Sequence, residues 1–142
     1  MTASRTAGAP LPRPDPEAQG DLGLPPTGPL QPAVDDIGRW TDRYFVRTKE
    51  TIGRFGDKTV TYAVFMRRPV IFTPRLMIGW LEGVAAARDV SFRIQPNHRE
   101  GEWVGAGEPL LYITGSIYHL VDLETLYLQK LGAACVAAYN AY

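Results

Sequence analysis

The stretch TDRYFVRTKE, residues 41 to 50, sets Tyr44 between Arg43 and Arg47, with Asp42 just ahead of them. A tyrosine in the first turn of a helix can lay its ring face against a flat heteroaromatic, and guanidinium forks beside it can hold a carboxylate or a phosphate. The same residues have a purely structural reading, in which Tyr44 and Phe45 pack into the core while Arg43 and Arg47 face water. Residue types alone leave both readings open.

The other chemistry-bearing residues favour plainer roles. His98 lies in a polar turn and His119 just before an apolar helix, neither near a serine or cysteine nucleophile motif. They read as a surface histidine and a histidine at a helix start rather than as general bases. Glu100, Glu102 and Glu108 are strung along a loop, which suits a solvated face better than the paired carboxylates of a hydrolase. The glycines of VGAGEP precede a strand instead of following one, so they predict a β-turn rather than a phosphate loop. Cys135 is the single cysteine; it can form no internal disulfide and has no Cys or His at ligand spacing. No metal site and no catalytic residue is therefore assigned to the chain itself. Asp57-Lys58 ahead of a strand, followed by GEWVGAGEPLLYITG, resembles the lysine-bearing turn of lipoyl carrier domains, but a long helix over 74 to 88 has no place in such a domain.

Elements must hold these side chains in place. Thr41 or Asp42 can cap a helix that carries Phe45, Ile52 and Phe55 near one face and ends at Gly53 or Gly56. TVTYAVF, 59 to 65, is rich in β-branched and aromatic residues and alternates, which predicts a strand. TPRLMIGWLEGVAAARD supplies a Thr73 cap, Pro74 at the first helical position, and the apolar set Leu76, Met77, Trp80, Leu81 and Val84. VSFRI and LLYITG read as further strands on either side of a polar turn, in an antiparallel or mixed sheet. From about Leu120 the pattern becomes helical and then apolar on every side, a helix for which the sequence offers no cover.

Composition limits what this scaffold can be. With 142 residues, 45% of them hydrophobic, there is material for one domain of modest core. Fifteen basic residues balance fifteen acidic ones, so no global field recruits nucleic acid or an anionic membrane surface. No window approaches the roughly 20 apolar residues of a membrane span, and no signal peptide is evident. A reducing, cytoplasmic setting is expected. Residues 1 to 36 hold eight of the twelve prolines and are read as a disordered tail with polyproline character. Residues 37 to 120 are read as the folded domain, and 121 to 142 as a further helix.

The pieces TDRYFVRTKETI, VTYAVFMRRP, WLEGV, EGEWVGAGEPLLYITGSIYHLVDLETLYLQKLG and ACVAAYNA, in this order over residues 38 to 142, resemble the N-terminal part of nicotinate phosphoribosyltransferase. The quinolinate and nicotinamide phosphoribosyltransferases share a similar architecture. The most specific features are T-D-x-Y at 41 to 44 and G-E-P-L-L followed by L-E-T-L-x-L within 107 to 128. The resemblance implies an α+β fold, the N-terminal domain of a type II phosphoribosyltransferase, with a mixed or antiparallel sheet and helices. It also implies an α/β barrel that would lie beyond Tyr142, so residues 121 to 142 would be the helix leading into it.

In that family nicotinate and phosphoribosyl pyrophosphate give nicotinate mononucleotide and pyrophosphate, often coupled to ATP hydrolysis, in a salvage route to NAD. The T-D-x-Y tyrosine of one subunit stacks on the pyridine ring in the active site of its dimer partner. By position this role falls to Tyr44, with Asp42 shaping the turn. Arg67, in an F-x-R pattern with Phe65, corresponds to a phosphate contact, and Arg47 is a further candidate for substrate binding. Mg2+ and ATP are implied for the complete family member, with neither bound by this chain alone. Neither His98 nor His119 matches the family's phosphorylated histidine. The chain is accordingly expected to be an inactive N-terminal portion, partnered as a homodimer or with a separate barrel. The alternative is a non-catalytic dimerisation or regulatory module.

Overall fold

The computed structural model describes residues 37–142. The proline-rich segment read as a disordered tail lies outside the described residues. The described part is α+β: helices α1 (Ile37–Trp40), α2 (Arg43–Phe55), α3 (Arg75–Ala87), α4 (Ile117–Leu120) and α5 (Glu124–Ala141) surround strands β1 (Thr59–Phe65), β2 (Val70–Ile71), β3 (Arg93–Pro96), β4 (Trp103–Val104) and β5 (Pro109–Ser116). One turn of 3-10 helix, Val121–Leu123, joins α4 to α5.

The predicted alternation of β1 becomes the outer edge of a three-stranded sheet ordered β1-β5-β3, antiparallel throughout. Tyr62 stands opposite Ile113, and Val64 opposite Leu111. On the neighbouring positions Thr61 and Thr114 share a hydroxyl hydrogen bond of 2.8 Å, so the exposed face is also tied across the strands. Gly115 is required by packing, since a Cβ there would come within 2.7 Å of the Phe92 ring that lies against β5. The stretch VSFRI is strand only from Arg93, which stands opposite Thr114, and the pairing runs on to Pro96 opposite Leu111.

A second antiparallel pair, β2 with β4, was not anticipated. It is two residues long on each side, too short for alternation to show; β4 lies inside the stretch predicted as turn and β2 just before the predicted helix at 74. VGAGEP does form the predicted turn. Glu108 N–H donates to the Gly105 carbonyl, and Gly107 takes φ 79, a left-handed geometry that glycine adopts without steric cost.

Helix α3 begins at Arg75, one residue later than expected, with Pro74 as its N-cap residue. Thr73 is not the cap: its hydroxyl donates to the Ile71 carbonyl instead. Met77, Trp80, Leu81 and Val84 are buried as the spacing predicted, whereas Leu76 is exposed. The expected solvent exposure of α5 is also corrected. Tyr127, Leu131 and Cys135, spaced four apart on one stripe, are buried against β2 and α3, while Leu128, Val136 and Tyr139 on the adjoining side stay exposed. Cys135 Sγ accepts from the Thr73 amide at 3.4 Å, and burial pushes its thiol up, so it behaves as a core residue.

Candidate functional site

Asp42 is the residue that starts α2. Its carboxylate accepts from the Tyr44 amide at 2.9 Å, satisfying a donor that the first helical turn leaves open. This cap fixes where the next residues emerge. Tyr44 is 68% exposed, so its phenol is not a core group, and its one ring contact is edge-on to half-buried Phe45 at 5.5 Å. The structural reading of Tyr44 as a packed core aromatic is thereby overturned. Phe55, expected on the apolar face of α2 with Phe45 and Ile52, is 86% exposed. The helix ends at Gly56, whose φ of 108 takes the chain out of helical geometry.

Arg43 and Arg47 are one helical turn apart, both exposed, and line a concavity of about 320 Å³ together with Gly38, Thr41, Val46 and Glu50. Arg67, just past the end of β1, lines a different concavity with Glu124 and Tyr62. Tyr44 is in neither lining set. The fold thus gathers Asp42, Tyr44 and Arg47 at the start of α2 and sets Arg67 apart from them on another element.

The start of α2 is tied to the 3-10 turn. The Thr41 hydroxyl lies 2.6 Å from the Asp122 carbonyl and 2.8 Å from that of Ile37, its single proton shared between them. The Asp122 side chain is a hub that sequence reasoning did not mark. Arg88, at the end of α3, grips it with two parallel bonds of 2.9 and 2.8 Å, and Lys49 of α2 adds a third at 2.9 Å. The three side chains are only 11%, 12% and 22% exposed for Asp122, Arg88 and Lys49. Burial pushes the Asp122 carboxyl up, but the hydrogen bonds and charges of Arg88 and Lys49 outweigh it and hold the group below the usual carboxylate range. The signal available in the sequence was a lone acid inside the apolar run HLVDLETL. A charge in such a run needs partners.

Beside this hub sits His119. Its Nδ1 is buried without a hydrogen-bond partner among the described residues, and its ring stands edge-on to Tyr118. Burial, reinforced by Lys49 and Arg88 and opposed by Asp57 and Asp122, moves the imidazole below its ordinary value. A folded pKa below the unfolded one means that the unfolded chain binds more protons as pH drops through 6.5, so stability falls on acidification. Asp122 adds a second loss of the same sign, beginning below 3.8. We expect the unfolding midpoint of the chain to decline between pH 7.5 and 5, and His119→Gln to flatten that decline; an equal slope in the variant would remove His119 as its cause.

The Asp57-Lys58 turn has a structural use. The Asp57 carboxylate accepts from the Ser116 hydroxyl, from the Tyr118 amide at 3.0 Å and from the Lys58 amide at 2.8 Å, so it ties β1 to the start of α4. The Ser116 hydrogen bond, with the two amides, lowers its pKa. His98 and Glu102 are likewise built into a turn: Nε2 faces the Pro109 carbonyl at 3.1 Å and Nδ1 the Glu102 carboxylate at 3.4 Å, while that carboxylate also takes the Arg99 amide at 2.9 Å. Glu102 is therefore more than a solvated charge, and Glu100 forms an exposed pair with Arg75 at 2.7 Å. Among the described residues no group of three or more His, Cys, Asp and Glu side chains is placed to hold a metal ion. No helix among them is long and apolar enough to cross a membrane.

No protein-family model matches the sequence, and no curated protein matches it. Solved structures do resemble it. A nicotinate-nucleotide pyrophosphorylase from Pyrococcus furiosus aligns over 71% of this chain and 26% of its own, with 24% identity and a TM-score of 0.52. A nicotinate-nucleotide pyrophosphorylase from Francisella tularensis aligns over 69% of this chain and 35% of its own, with 14% identity and a TM-score of 0.48. The chain therefore spans about a third or less of the structures it resembles. The likeness is one of fold: α+β, with antiparallel sheets and helices, and with no barrel among the described residues.

Proposed function

We propose that the chain is the N-terminal, substrate-covering portion of a phosphoribosyltransferase of NAD biosynthesis, which works together with an α/β barrel supplied from outside this sequence. The observation that carries the reading is Tyr44. A cap at Asp42 presents its ring at the first turn of α2, 68% exposed and clear of its own core, with Arg43 and Arg47 beside it. An aromatic left in water by its own fold is suited to a flat ring offered by another chain.

In this proposal the ring is a pyridine carboxylate, taken as nicotinate from the family that T-D-x-Y at 41 to 44 and the G-E-P-L-L segment resemble. Tyr44 stacks on it, Asp42 holds the turn, and Arg47 and Arg67 are offered to anionic groups of the substrates. The transfer passes through an oxocarbenium-like state with pyrophosphate leaving, which calls for converging cationic groups and metal. In this proposal the phosphoribosyl pyrophosphate site, with Mg2+ and ATP, belongs to the barrel. The exposed face of α5, with Leu128, Val136 and Tyr139, supports docking of that barrel or of a partner subunit. A non-catalytic dimerisation module would use the same face.

The purified chain, incubated with nicotinate, phosphoribosyl pyrophosphate, Mg2+ and ATP, is expected to form no nicotinate mononucleotide. Turnover by the chain alone would show that the barrel is not needed.

A further inference from the structure

A concavity of about 330 Å³ opens between the end of β1 and the first turn of α5. Its walls include Tyr62, Phe65, Tyr127 and Leu128, and its charged groups are Arg67 and Glu124. The two charges come from different elements, one just past a strand and one at a helix start, so no local motif brings them together. Neither side chain makes a hydrogen bond or ion pair among the described residues. Glu124 is half-buried, and burial without a counter-charge raises its carboxyl pKa. Its charge also raises the Tyr62 and Tyr127 phenols, whose larger cause is burial. The carboxylate thus lies against an aromatic wall with nothing to neutralise it. Such a group is costly unless a cation or an N–H donor completes it.

We propose that this concavity binds a small amphoteric aromatic molecule, with its carboxylate held by Arg67, its cationic nitrogen by Glu124, and its ring lying along Tyr62, Phe65 and Leu128. The volume is at the lower end of ordinary small-ligand pockets, which suits a single ring carrying two substituents. Glu124 sets the sign of one end. It attracts the cation, assisted by the faces of Tyr62 and Phe65. A monoanionic carboxylate matches the single guanidinium fork. The inference goes beyond the proposed function and meets it only at Arg67, which becomes a carboxylate contact rather than a phosphate contact.

The test is an amide NMR titration of the isotope-labelled chain of 142 residues with three probes, para-aminomethylbenzoate, benzoate and benzylamine. Saturable shifts are expected for the amphoteric probe, confined to β1 around Tyr62 to Phe65, to Arg67, and to Glu124 to Leu128. Its affinity should exceed that of either singly charged probe about tenfold, the effect of one further charge-assisted hydrogen bond. Glu124→Gln should reduce it to the level of benzoate, and Arg67→Gln to that of benzylamine, each with an otherwise unchanged spectrum. Equal affinity for the three probes, shifts elsewhere, or no saturable shift would overturn the proposal. Shifts of these residues on concentrating the protein without a probe would also overturn it, by showing a second copy in the concavity. Because the titration involves neither a barrel nor a phosphoribosyl donor, its failure leaves the phosphoribosyltransferase reading standing, and the converse holds.

Discussion

Asp122→Ala is expected to cost the folded chain about 3 kcal/mol, measured as the loss in unfolding free energy by denaturant titration. The carboxylate removed is the one group that pairs both Arg88 and Lys49, and Arg88 is 12% exposed. Without Asp122 a nearly buried guanidinium retains only its bond to the His119 carbonyl at 2.9 Å. Leaving such a charge unpaired, rather than losing the attraction itself, is the main source of the cost. Stabilities of domains this size are about 5–15 kcal/mol, so the variant should lose a large part of its margin. Replacing the pair together, Asp122→Leu with Arg88→Met, should recover most of the loss, since two apolar groups need no partners. A loss below about 1 kcal/mol in the single variant would mean that water already reaches the pair and that α2, α3 and the 3-10 turn are held by packing alone.

Tyr44→Ala should behave in the opposite way. Its unfolding free energy is expected to stay within about 0.5 kcal/mol of the parent, because an exposed side chain with one edge-on ring contact adds little to stability. In an assembly that includes a barrel, the same change should lower nicotinate mononucleotide formation about 5- to 150-fold, the range that follows from about 1–3 kcal/mol for stacking one aromatic ring on another. A Tyr44→Phe change keeps the ring and should restore most of the activity. A folding defect in Tyr44→Ala would return Tyr44 to a structural role, and full activity would remove it from the site.

The parts of the fold that the sequence made legible are those with a local physical cause. The strand at 59 to 65 shows its alternation and β-branched content, and its observed limits are the predicted ones. Asp42 and Gly56 mark the ends of α2 because capping acts through immediate neighbours. The Gly105 to Glu108 turn follows from glycine's access to positive φ. What stayed hidden depends on contacts distant in the chain. The β2 and β4 pair is held by partners more than thirty residues apart and is too short to carry a pattern. Thr73 looked like a cap until the structure gave its hydroxyl another acceptor.

The site shows the same division. Asp42, Tyr44 and Arg47 could be placed together because one helical turn carries them. Arg67 could not be placed relative to them, since its position depends on how β1 and α5 meet. Asp122 escaped notice because its two cations come from helices α2 and α3, at sequence distances of 73 and 34. The apolar run around it was legible as helix, but nothing local states which charges would reach it.

The most direct measurement adds this chain to a phosphoribosyltransferase barrel expressed as a separate polypeptide and follows nicotinate mononucleotide formation from nicotinate and phosphoribosyl pyrophosphate. If the chain covers the substrate in a shared active site, each polypeptide is inactive alone and the rate rises and saturates as the chain is titrated in, with Tyr44→Ala saturating at a much lower rate. A rate that is unchanged by adding the chain, or raised equally by the Tyr44→Ala variant, contradicts that account.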